Sequence, residues 1–170
     1  MEGARRAQPS DLATLASLAE EAVAEQREHR GGAIWAQRET RALPALSSLA
    51  AALDDPDHLV VAGTIDAVVV GYGVARLERL RGGRMLGVVT DLYVEPEARA
   101  VGVGEAMIEH LVDWCRCHHC QGIDALALPG NRETKNFFET FGFTARAIVV
   151  HHSLAESLAE KADADLAPMP

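Results

Sequence analysis

Two glycines spaced one residue apart separate a β-like run from a helical run in the middle of the chain. Residues 88–94 are apolar and largely β-branched, Pro96 interrupts them, Gly102 and Gly104 follow, and an apolar helical period begins at Met107. This order predicts a strand, a tight loop and a helix. The first N–H groups of a helix are unpaired and the helix dipole is positive there, so the loop is suited to binding an anion such as a phosphate. Glycines, which lack a Cβ, let the backbone approach that anion closely, although they equally suit a turn needed only for packing.

Two motifs taken together resemble the signatures of the GNAT superfamily of N-acetyltransferases. The acyl-coenzyme A loop of that family has the pattern Arg/Gln-x-x-Gly-x-Gly/Ala, and the chain carries Arg99-x-x-Gly102-x-Gly104. The second family pattern is Asn-x-x-Ala-x-x-Phe-Tyr-Glu-x-x-Gly-Phe, and the chain carries Asn131-x-x-Thr134-x-x-Phe137-Phe138-Glu139-x-x-Gly142-Phe143. Two motifs in the right order are more specific than either alone, and the match covers residues 88–143.

The resemblance implies how the chain binds acetyl-coenzyme A as its co-substrate. The strand before the loop would pair with the pantetheine arm, the loop backbone would hold the pyrophosphate, and the second motif would contact the pantetheine side. Lys135 would reach a phosphate or would simply be a solvated helix lysine. The cofactor-binding residues implied in this way are Leu92, Tyr93, Val94, Arg99, Ala100, Val101, Gly102, Val103, Gly104, Glu105, Asn131, Lys135 and Phe138.

Three residues bear on the chemistry of acetyl transfer. By the resemblance, the backbone N–H of Leu92 would contact the oxyanion. Residues 90–94 are similar to the Glu-Asp-(Ile/Leu)-Tyr-Val of diamine acetyltransferases, which makes Asp91 a candidate general base acting through water; the alternative is a polar strand residue that fixes a neighbouring loop. Phe138 stands where the family commonly has a tyrosine, and a phenylalanine has no proton to give to the departing thiolate.

These observations predict an acetyl-coenzyme A-dependent N-acetyltransferase that acts on a primary amine of a small molecule or a peptide by direct transfer. Phe138 supports one alternative, a non-catalytic acyl-coenzyme A binding or regulatory domain. Acetylation of a protein N-terminus or lysine is another. The sequence carries no motif that selects the acceptor, and a homodimer is left open.

The composition limits the class of protein. With 170 residues, 48% of them hydrophobic, the chain suits one well-buried domain, which we place at residues 1–153, with residues 154–170 as a helical or frayed tail. The formal net charge of −9 opposes nucleic-acid binding and favours a cationic substrate, although solubility alone explains it as well. No apolar run of membrane-spanning length and no signal peptide is visible, so we expect a cytoplasmic protein with no membrane partner.

Three cysteines within six residues invite a metal interpretation. Cys115, Cys117 and Cys120 surround two histidines. On a helix, however, Cys115 and Cys117 project in different directions, and no second ligand pair at zinc-site spacing occurs elsewhere. We therefore expect no metal and interpret the cluster as a helix end with semi-buried thiols.

The remaining segments predict the elements that position these residues. A strand at residues 3–8 precedes a helix that begins at Ser10 or Asp11 and runs to about residue 28. Residues 29–43 have no clean period and are predicted to be a loop, in which Trp35 either lines a substrate pocket or fixes the loop to the core. Pro44 starts a second helix.

The later elements are an antiparallel meander and two helix-strand units. Strands are predicted at residues 58–62, 67–77 and 85–94, with turns at 63–66 and 81–83. A helix at 104–118, a strand at 123–128, a helix of about ten residues ending at Gly142 and a strand at 143–152 follow. The fold class is therefore α/β: a GNAT-type mixed, mostly antiparallel sheet with helices on both faces and, by the resemblance, a V-shaped splay between central strands.

Overall fold

The computed structural model describes residues 1–154. Five strands and five α-helices occur in this part of the chain, together with 3-10 turns at Pro9–Asp11 and Pro96–Ala98. In chain order they are β1 (Glu2–Arg6), α1 (Leu12–Arg27), α2 (Gly32–Arg38), α3 (Ala45–Asp54), β2 (His58–Ile65), β3 (Val68–Arg79), β4 (Met85–Val94), α4 (Val103–Cys117), β5 (Cys120–Ala125) and α5 (Arg132–Thr140).

The five strands form one sheet in chain order, from β1 at one edge to β5 at the other. The pairs from β1 to β4 are antiparallel, whereas β4 and β5 are parallel. Parallel neighbours need a crossover, and α4 supplies it. The predicted fold class, a mixed and mostly antiparallel sheet with helices on both faces, is confirmed.

Each face of the sheet has its own apolar cluster. One cluster joins the sheet to α1 and α3 and includes Leu15, Leu49, Val60, Tyr72 and Tyr93. The other joins it to α4 and α5, and its buried members are Leu59, Val61, Ala75, Val89, Val103, Met107, Ile108, Leu111 and Phe138. Because strand side chains alternate between faces, consecutive residues of β4 serve different clusters.

The hairpin between β2 and β3 is tighter than the sequence predicts. The turn is Asp66-Ala67, and both residues have positive φ, 47° and 70°. Two left-handed residues give the turn whose twist matches the flanking strands. The predicted turn at residues 63–66 is therefore displaced: Gly63 lies inside β2, where the register with β3 shifts between Gly63 and Thr64.

Two other predictions about local structure are wrong. Residues 29–43 are not a continuous loop, because α2 occupies Gly32–Arg38. Its seven residues are too few to show a period. Trp35 lies on this helix and is half-buried. The strand β5 also begins at Cys120, three residues earlier than predicted, and ends before the exposed Leu126.

The predicted closing strand at residues 143–152 is not formed. These residues pair with no strand in the described part of the chain, and Ile148, Val149 and Val150 are 86%, 76% and 90% exposed. Arg146 holds the segment beside β5 by donating from Nε to Asp124 Oδ1 at 2.7 Å. β-Propensity measures fit to a pleated surface, so an apolar run without a paired backbone does not become a strand. Most of the predicted tail, residues 155–170, lies outside the described residues.

A buried carboxylate joins β1 to the start of α1. Asp11 accepts hydrogen bonds from both terminal nitrogens of Arg5, at 2.7 and 2.9 Å, and from the Gln8 N–H at 2.8 Å. Arg5 holds the pKa of Asp11 below its usual value, against the opposing effect of burial. The Asp11 carboxylate therefore accepts from the residue that begins the 3-10 turn before α1, and it accepts no capping hydrogen bond from α1 itself.

The cysteines lie where α4 turns into β5. Cys115 is buried, Cys117 is exposed and Cys120 is intermediate. Burial, with the neighbouring Cys120 as a smaller cause, raises the pKa of Cys115 to about 12. Within residues 1–154 no group of three or more His, Cys, Asp and Glu side chains is arranged to hold a metal ion. A search of the same residues for a helix long and apolar enough to cross a membrane finds none.

Gly87 of β4 gives a direct test of this packing. A Cβ placed there would lie 2.4 Å from Cys115 Sγ and 3.2 Å from Cys115 Cβ. We expect Gly87→Ala to lower the free energy of unfolding by about 1–3 kcal/mol through overpacking. Cys115→Ala in the same chain removes the sulfur and should restore part of this loss. Urea unfolding of both single variants and the double variant measures the coupling, and strictly additive effects would contradict this packing.

Candidate active site

The sheet opens between β4 and β5. Their parallel pairing runs from Met85 and Cys120 to Val89 and Ala125 and then stops, although β4 continues to Val94. At the same point the register with β3 shifts, because Val74 pairs with Asp91 and Ala75 with Val89. Thr90 is the extra residue of a β-bulge, a feature that bends a strand and increases its twist. The second half of β4 therefore borders a gap.

The backbone direction along β4 follows from one hydrogen bond. The Glu95 N–H donates to the Val70 carbonyl at 2.9 Å, so Glu95 points its backbone toward β3. Backbone groups alternate in direction along an antiparallel ladder, and the register from Val94 back to Asp91 is unbroken. Tyr93 therefore also points its N–H and carbonyl toward β3, whereas Leu92 and Val94 point theirs into the gap.

The loop after β4 places a helix N-terminus at the mouth of this gap. Gly102 caps α4 in the left-handed region with φ 98°, and Ala100 has φ 62°. A left-handed residue with a side chain costs roughly 1–2 kcal/mol, so the loop conformation must be held by its contacts. The first intrahelical donor is Ala106, whose N–H reaches the Gly102 carbonyl at 3.0 Å. The N–H groups of the preceding turn are therefore available to an anion.

Gly104, in the first turn of α4, has a packing role. A Cβ at this residue would lie 3.2 Å from Phe137 Cε2 on α5. Gly102 thus provides the left-handed cap, and Gly104 allows α5 to approach α4. The close approach of these glycines to an anion stays a prediction.

Arg99 fixes the start of the loop and does not project freely. Its Nε donates to the Val94 carbonyl at 2.9 Å, its Nη2 donates to Glu25 Oε2 at 2.6 Å, and its guanidinium lies 5.5 Å from the centre of the Tyr93 ring. The hydrogen bond with Glu25 raises the pKa of Arg99. The contact with Val94 also agrees with the carbonyl of that residue pointing away from β3.

The second motif forms α5 and its cap. Asn131 Oδ1 accepts the Thr134 N–H at 3.1 Å, and Asn131 Nδ2 donates to Gln26 Oε1 at 3.3 Å. Lys135 is exposed and forms an ion pair with Glu139 one turn later. Both ends of the Asn131 amide are thus engaged within the protein, and Lys135 has a partner on its own helix.

Phe138 is buried among aromatic rings. Its ring centre lies 5.6 Å from that of Phe137 and 5.2 Å from that of Phe143. The chain's two tyrosines, Tyr72 and Tyr93, belong to the cluster on the opposite face of the sheet. Burial raises the pKa of both tyrosines, with the charges of Asp91 and Glu25 as further causes. Neither tyrosine substitutes for a proton donor at Phe138.

Asp91 lies at the centre of a buried hydrogen-bond network. Arg41 contacts it through Nε to Oδ1 at 3.2 Å and Nη2 to Oδ2 at 2.6 Å, Tyr72 donates its hydroxyl to Oδ1 at 3.0 Å, and Thr90 donates to Oδ2 at 2.7 Å. The side chains of Arg41 and Asp91 are only 11% and 8% exposed. Since both carboxylate oxygens are engaged, this geometry matches a residue that fixes a loop, here residues 39–43.

A cavity opens beside this network. Its volume is about 190 Å³, and it lies between the loop after α2 and the bulge of β4. Hydroxyl, carboxylate and imidazole side chains supply most of the lining, including Glu39, Thr40, Ser48, His58 and Thr90. The sequence did not identify Arg41 or this cavity, because the loop has no periodicity or motif that marks it.

Comparison with known proteins decides the family. The model of the acetyltransferase (GNAT) family matches residues 16–143. The chain belongs to this family. The matched region includes the opened strand β4, the loop at the start of α4, and α5, which are the elements that the two sequence motifs predicted.

The individual proteins to which the chain is similar are distant in sequence. Glucosamine 6-phosphate N-acetyltransferase of Trypanosoma brucei brucei is 34% identical over 65 residues, which is 38% of this chain and 42% of that protein. The match thus spans less than half of that relative. A tetramutant of the BH1408 protein from Bacillus halodurans superposes with a TM-score of 0.76 at 20% identity, covering 89% of this chain and 99% of that one. An aminoglycoside N-acetyltransferase solved with coenzyme A superposes with a TM-score of 0.70 at 15% identity, covering 90% of this chain and 94% of that one.

The network around Asp91 predicts a large effect on stability. Asp91→Leu leaves the buried Arg41 guanidinium without its charged partner, which should lower the free energy of unfolding by about 3–5 kcal/mol. Adding Arg41→Met removes the unpaired charge and should recover a substantial part. Equal losses in the single and double variants, measured by denaturant unfolding, would show that the ion pair does not fix the loop.

Proposed function

We propose that residues 1–153 form a single catalytic domain that transfers an acetyl group from acetyl-coenzyme A directly to a primary amine. The observation that carries this proposal is the coincidence, at one edge of β4, of two inward-pointing N–H groups and a free helix N-terminus. The two strand N–H groups suit the thioester carbonyl and the pantetheine arm of the coenzyme, and the helix N-terminus suits its pyrophosphate. Membership of an acetyltransferase family supports the same activity.

The residues that border the gap fit a bound coenzyme A. The backbone of Leu92 and Val94 faces the gap, and residues 100–105 present backbone N–H groups at the N-terminus of α4. Arg99, Asn131 and Tyr93 contribute by holding these walls rather than by exposing free polar groups. A pyrophosphate bound to N–H groups at a helix N-terminus is stabilised by the helix dipole. The aminoglycoside acetyltransferase noted above was solved with coenzyme A, which supports the same ligand here.

Leu92 is the proposed oxyanion contact. A preorganised N–H aimed at the developing negative charge stabilises the transition state without reorganisation. The rest of the rate enhancement comes from holding amine and thioester together. Asp91 is one residue away from Leu92, but its hydrogen bonds suit a residue that holds Arg41 and the loop of residues 39–43 better than one that accepts a proton. The amine therefore loses its proton to water or to another group at the cavity.

The cavity beside Thr90 and Asp91 is the proposed acceptor site. It adjoins the residue before the oxyanion contact, and its hydroxyl and carboxylate groups suit a polar amine that carries hydroxyl groups. Two relatives have names that include glucosamine 6-phosphate and an aminoglycoside, which supports an amino-sugar acceptor in preference to a peptide. The homodimer and the cytoplasmic location stay predictions from the sequence.

One observation favours a second candidate, a domain that binds acyl-coenzyme A without turnover. Phe138 removes the usual proton donor, and neither tyrosine of the described chain lies on its face of the sheet. A screen of amino sugars, polyamines, peptides and lysine-bearing proteins, with thiol release as the readout, separates the candidates. Turnover of an amino sugar supports the proposal, turnover confined to peptides or proteins favours protein acetylation, and binding without turnover favours the second candidate.

Val101 gives a test of the pyrophosphate loop that leaves the core intact. This residue is 49% exposed in the loop. Val101→Glu places a carboxylate beside the proposed anion site, whereas Val101→Gln adds a neutral side chain of the same shape. We expect coenzyme A affinity to be at least about tenfold lower for the glutamate than for the glutamine variant, corresponding to roughly 1.4 kcal/mol.

Calorimetric titration at two salt concentrations checks this expectation. The difference between the variants should shrink at high salt, since the interaction is between charges near the surface. Equal affinities for coenzyme A in the two folded variants would place the pyrophosphate elsewhere.

Phe138→Tyr tests whether the missing acid limits the rate. General-acid assistance is typically worth about 10² to 10⁴ in rate, so even a poorly aligned hydroxyl should raise kcat if thiolate departure limits turnover. The wild-type rate should show no fall governed by a tyrosine pKa near about 10. The buried hydroxyl costs about 1–3 kcal/mol of stability if it finds no partner.

Phe141→Tyr is the matched control, since it adds a hydroxyl to a partly buried ring at the C-cap of the same helix. It should leave kcat unchanged. A wild-type pH profile that falls with an acid near about 10, and is flattened by Tyr72→Phe or Tyr93→Phe, would show that a different tyrosine serves as the acid.

A further inference from the structure

The last turn of α1 contacts both walls of the proposed coenzyme cleft. Glu25 reaches Arg99 at the start of the loop before α4, and the next residue, Gln26, reaches Asn131 at the start of α5. The partners of these two adjacent residues lie 74 and 105 positions away in the chain. α1 itself packs on the face of the sheet opposite to α4 and α5, so its end is a common support for the loop before α4 and for α5.

Glu25 acts on the loop through Arg99. The two side chains are about one-third exposed, 33% and 37%, so the ion pair is partly sheltered from water. Arg99 also donates to the Val94 carbonyl, which orients its guanidinium relative to the end of β4. Ala100, the next residue, has a positive φ of 62°. The Arg99 guanidinium is held by Val94 on one side and Glu25 on the other. Arg99 therefore fixes the start of the left-handed backbone at Ala100, whose neighbouring N–H groups form the proposed pyrophosphate wall.

Gln26 acts on α5 through Asn131. The Asn131 carbonyl oxygen already caps α5 by accepting the Thr134 N–H, and its amide nitrogen donates to Gln26. The cap of α5 is therefore attached to the same turn of α1 as the loop. The start of α2 is packed closely against this turn too, because a Cβ at Gly32 would lie 2.2 Å from the Gln26 carbonyl oxygen.

We propose that Glu25 and Gln26 are positioning residues that set the two walls of the coenzyme cleft independently, Glu25 the pyrophosphate wall and Gln26 the pantetheine wall. The inference rests on the proposed function, since it assumes coenzyme A between these walls. Neither residue contacts the reacting atoms. Each acts through one polar side chain, so each should affect only the part of the coenzyme that its own wall contacts.

The test compares three probes on the full chain: coenzyme A, adenosine 5′-diphosphate and pantetheine, the last two by competition against bound coenzyme A. Methionine replaces each residue without its polar atoms. We expect Glu25→Met to weaken coenzyme A and adenosine 5′-diphosphate by roughly tenfold, as for loss of a charge-assisted hydrogen bond, and to leave pantetheine unchanged. Gln26→Met should weaken coenzyme A and pantetheine by about threefold to tenfold and leave adenosine 5′-diphosphate unchanged.

Two further variants separate positioning from general destabilisation. Gln26→Glu keeps an oxygen that accepts from Asn131 and should restore pantetheine affinity. Glu28→Gln removes one negative charge, as Glu25→Met does, but at an exposed residue at the same end of α1. This control variant should bind all three probes as the wild type does. Uniform weakening of all probes together with a lower melting temperature would overturn the proposal, as would unchanged affinities in both methionine variants. A wild-type protein that binds no coenzyme A would instead contradict the proposed function itself.

Discussion

The end of pairing between β4 and β5 is the constraint on which the rest of the site depends. A strand whose backbone remained paired on both sides would have no N–H groups to offer. The pairing stops at Val89, and the bulge at Thr90 turns the following residues so that Leu92 and Val94 face the gap. Unpaired backbone groups cost about 1–3 kcal/mol each when they are buried without a partner, so the opening is stable only where water or a ligand occupies it.

The cations beside this opening serve as structural links. Arg99 is held by Glu25, and Arg41 is held by Asp91. Because carboxylates already neutralise both arginines, the proposed pyrophosphate site relies on backbone N–H groups and the dipole of α4 rather than on a free guanidinium. The same pairing keeps the loop before α4 and the loop after α2 in fixed positions on either side of β4. The net charge of −9 is consistent with an anion site formed by backbone dipoles within an acidic protein.

Local signals in the sequence were sufficient to predict the elements that border the proposed coenzyme site. The β-branched run predicted β4 with its observed bounds, and the glycines before an apolar period predicted the loop and α4 to within one residue. The Asn131 cap and Gly142 bracketed α5 in the same way. Each of these features is specified by residues within a few positions of one another, which is why pattern and turn chemistry identify them.

The features that the sequence did not reveal depend on contacts between distant positions. Arg41 and Asp91 are 50 residues apart, and nothing near either residue marks it as half of a pair. The short α2 is defined by packing against the end of α1, not by a period. Residues 143–152 have the composition of a strand, but strand formation also needs a partner strand. In the described chain the segment instead contacts its neighbours through Phe143, which packs on Phe138, and through Arg146, which pairs with Asp124.

The Leu92 and Val94 N–H groups face the proposed ligand gap, whereas the Tyr93 N–H points toward β3. Backbone amide NMR with saturating acetyl-coenzyme A measures this most directly, because the three adjacent residues report on opposite sides of one strand. We expect large amide shifts and slowed hydrogen exchange at Leu92 and Val94, with exchange at Tyr93 already slow in the free protein and little changed. Fast exchange at Tyr93 in the free protein, or the absence of amide shifts at Leu92 and Val94, would contradict this placement of the backbone groups along β4.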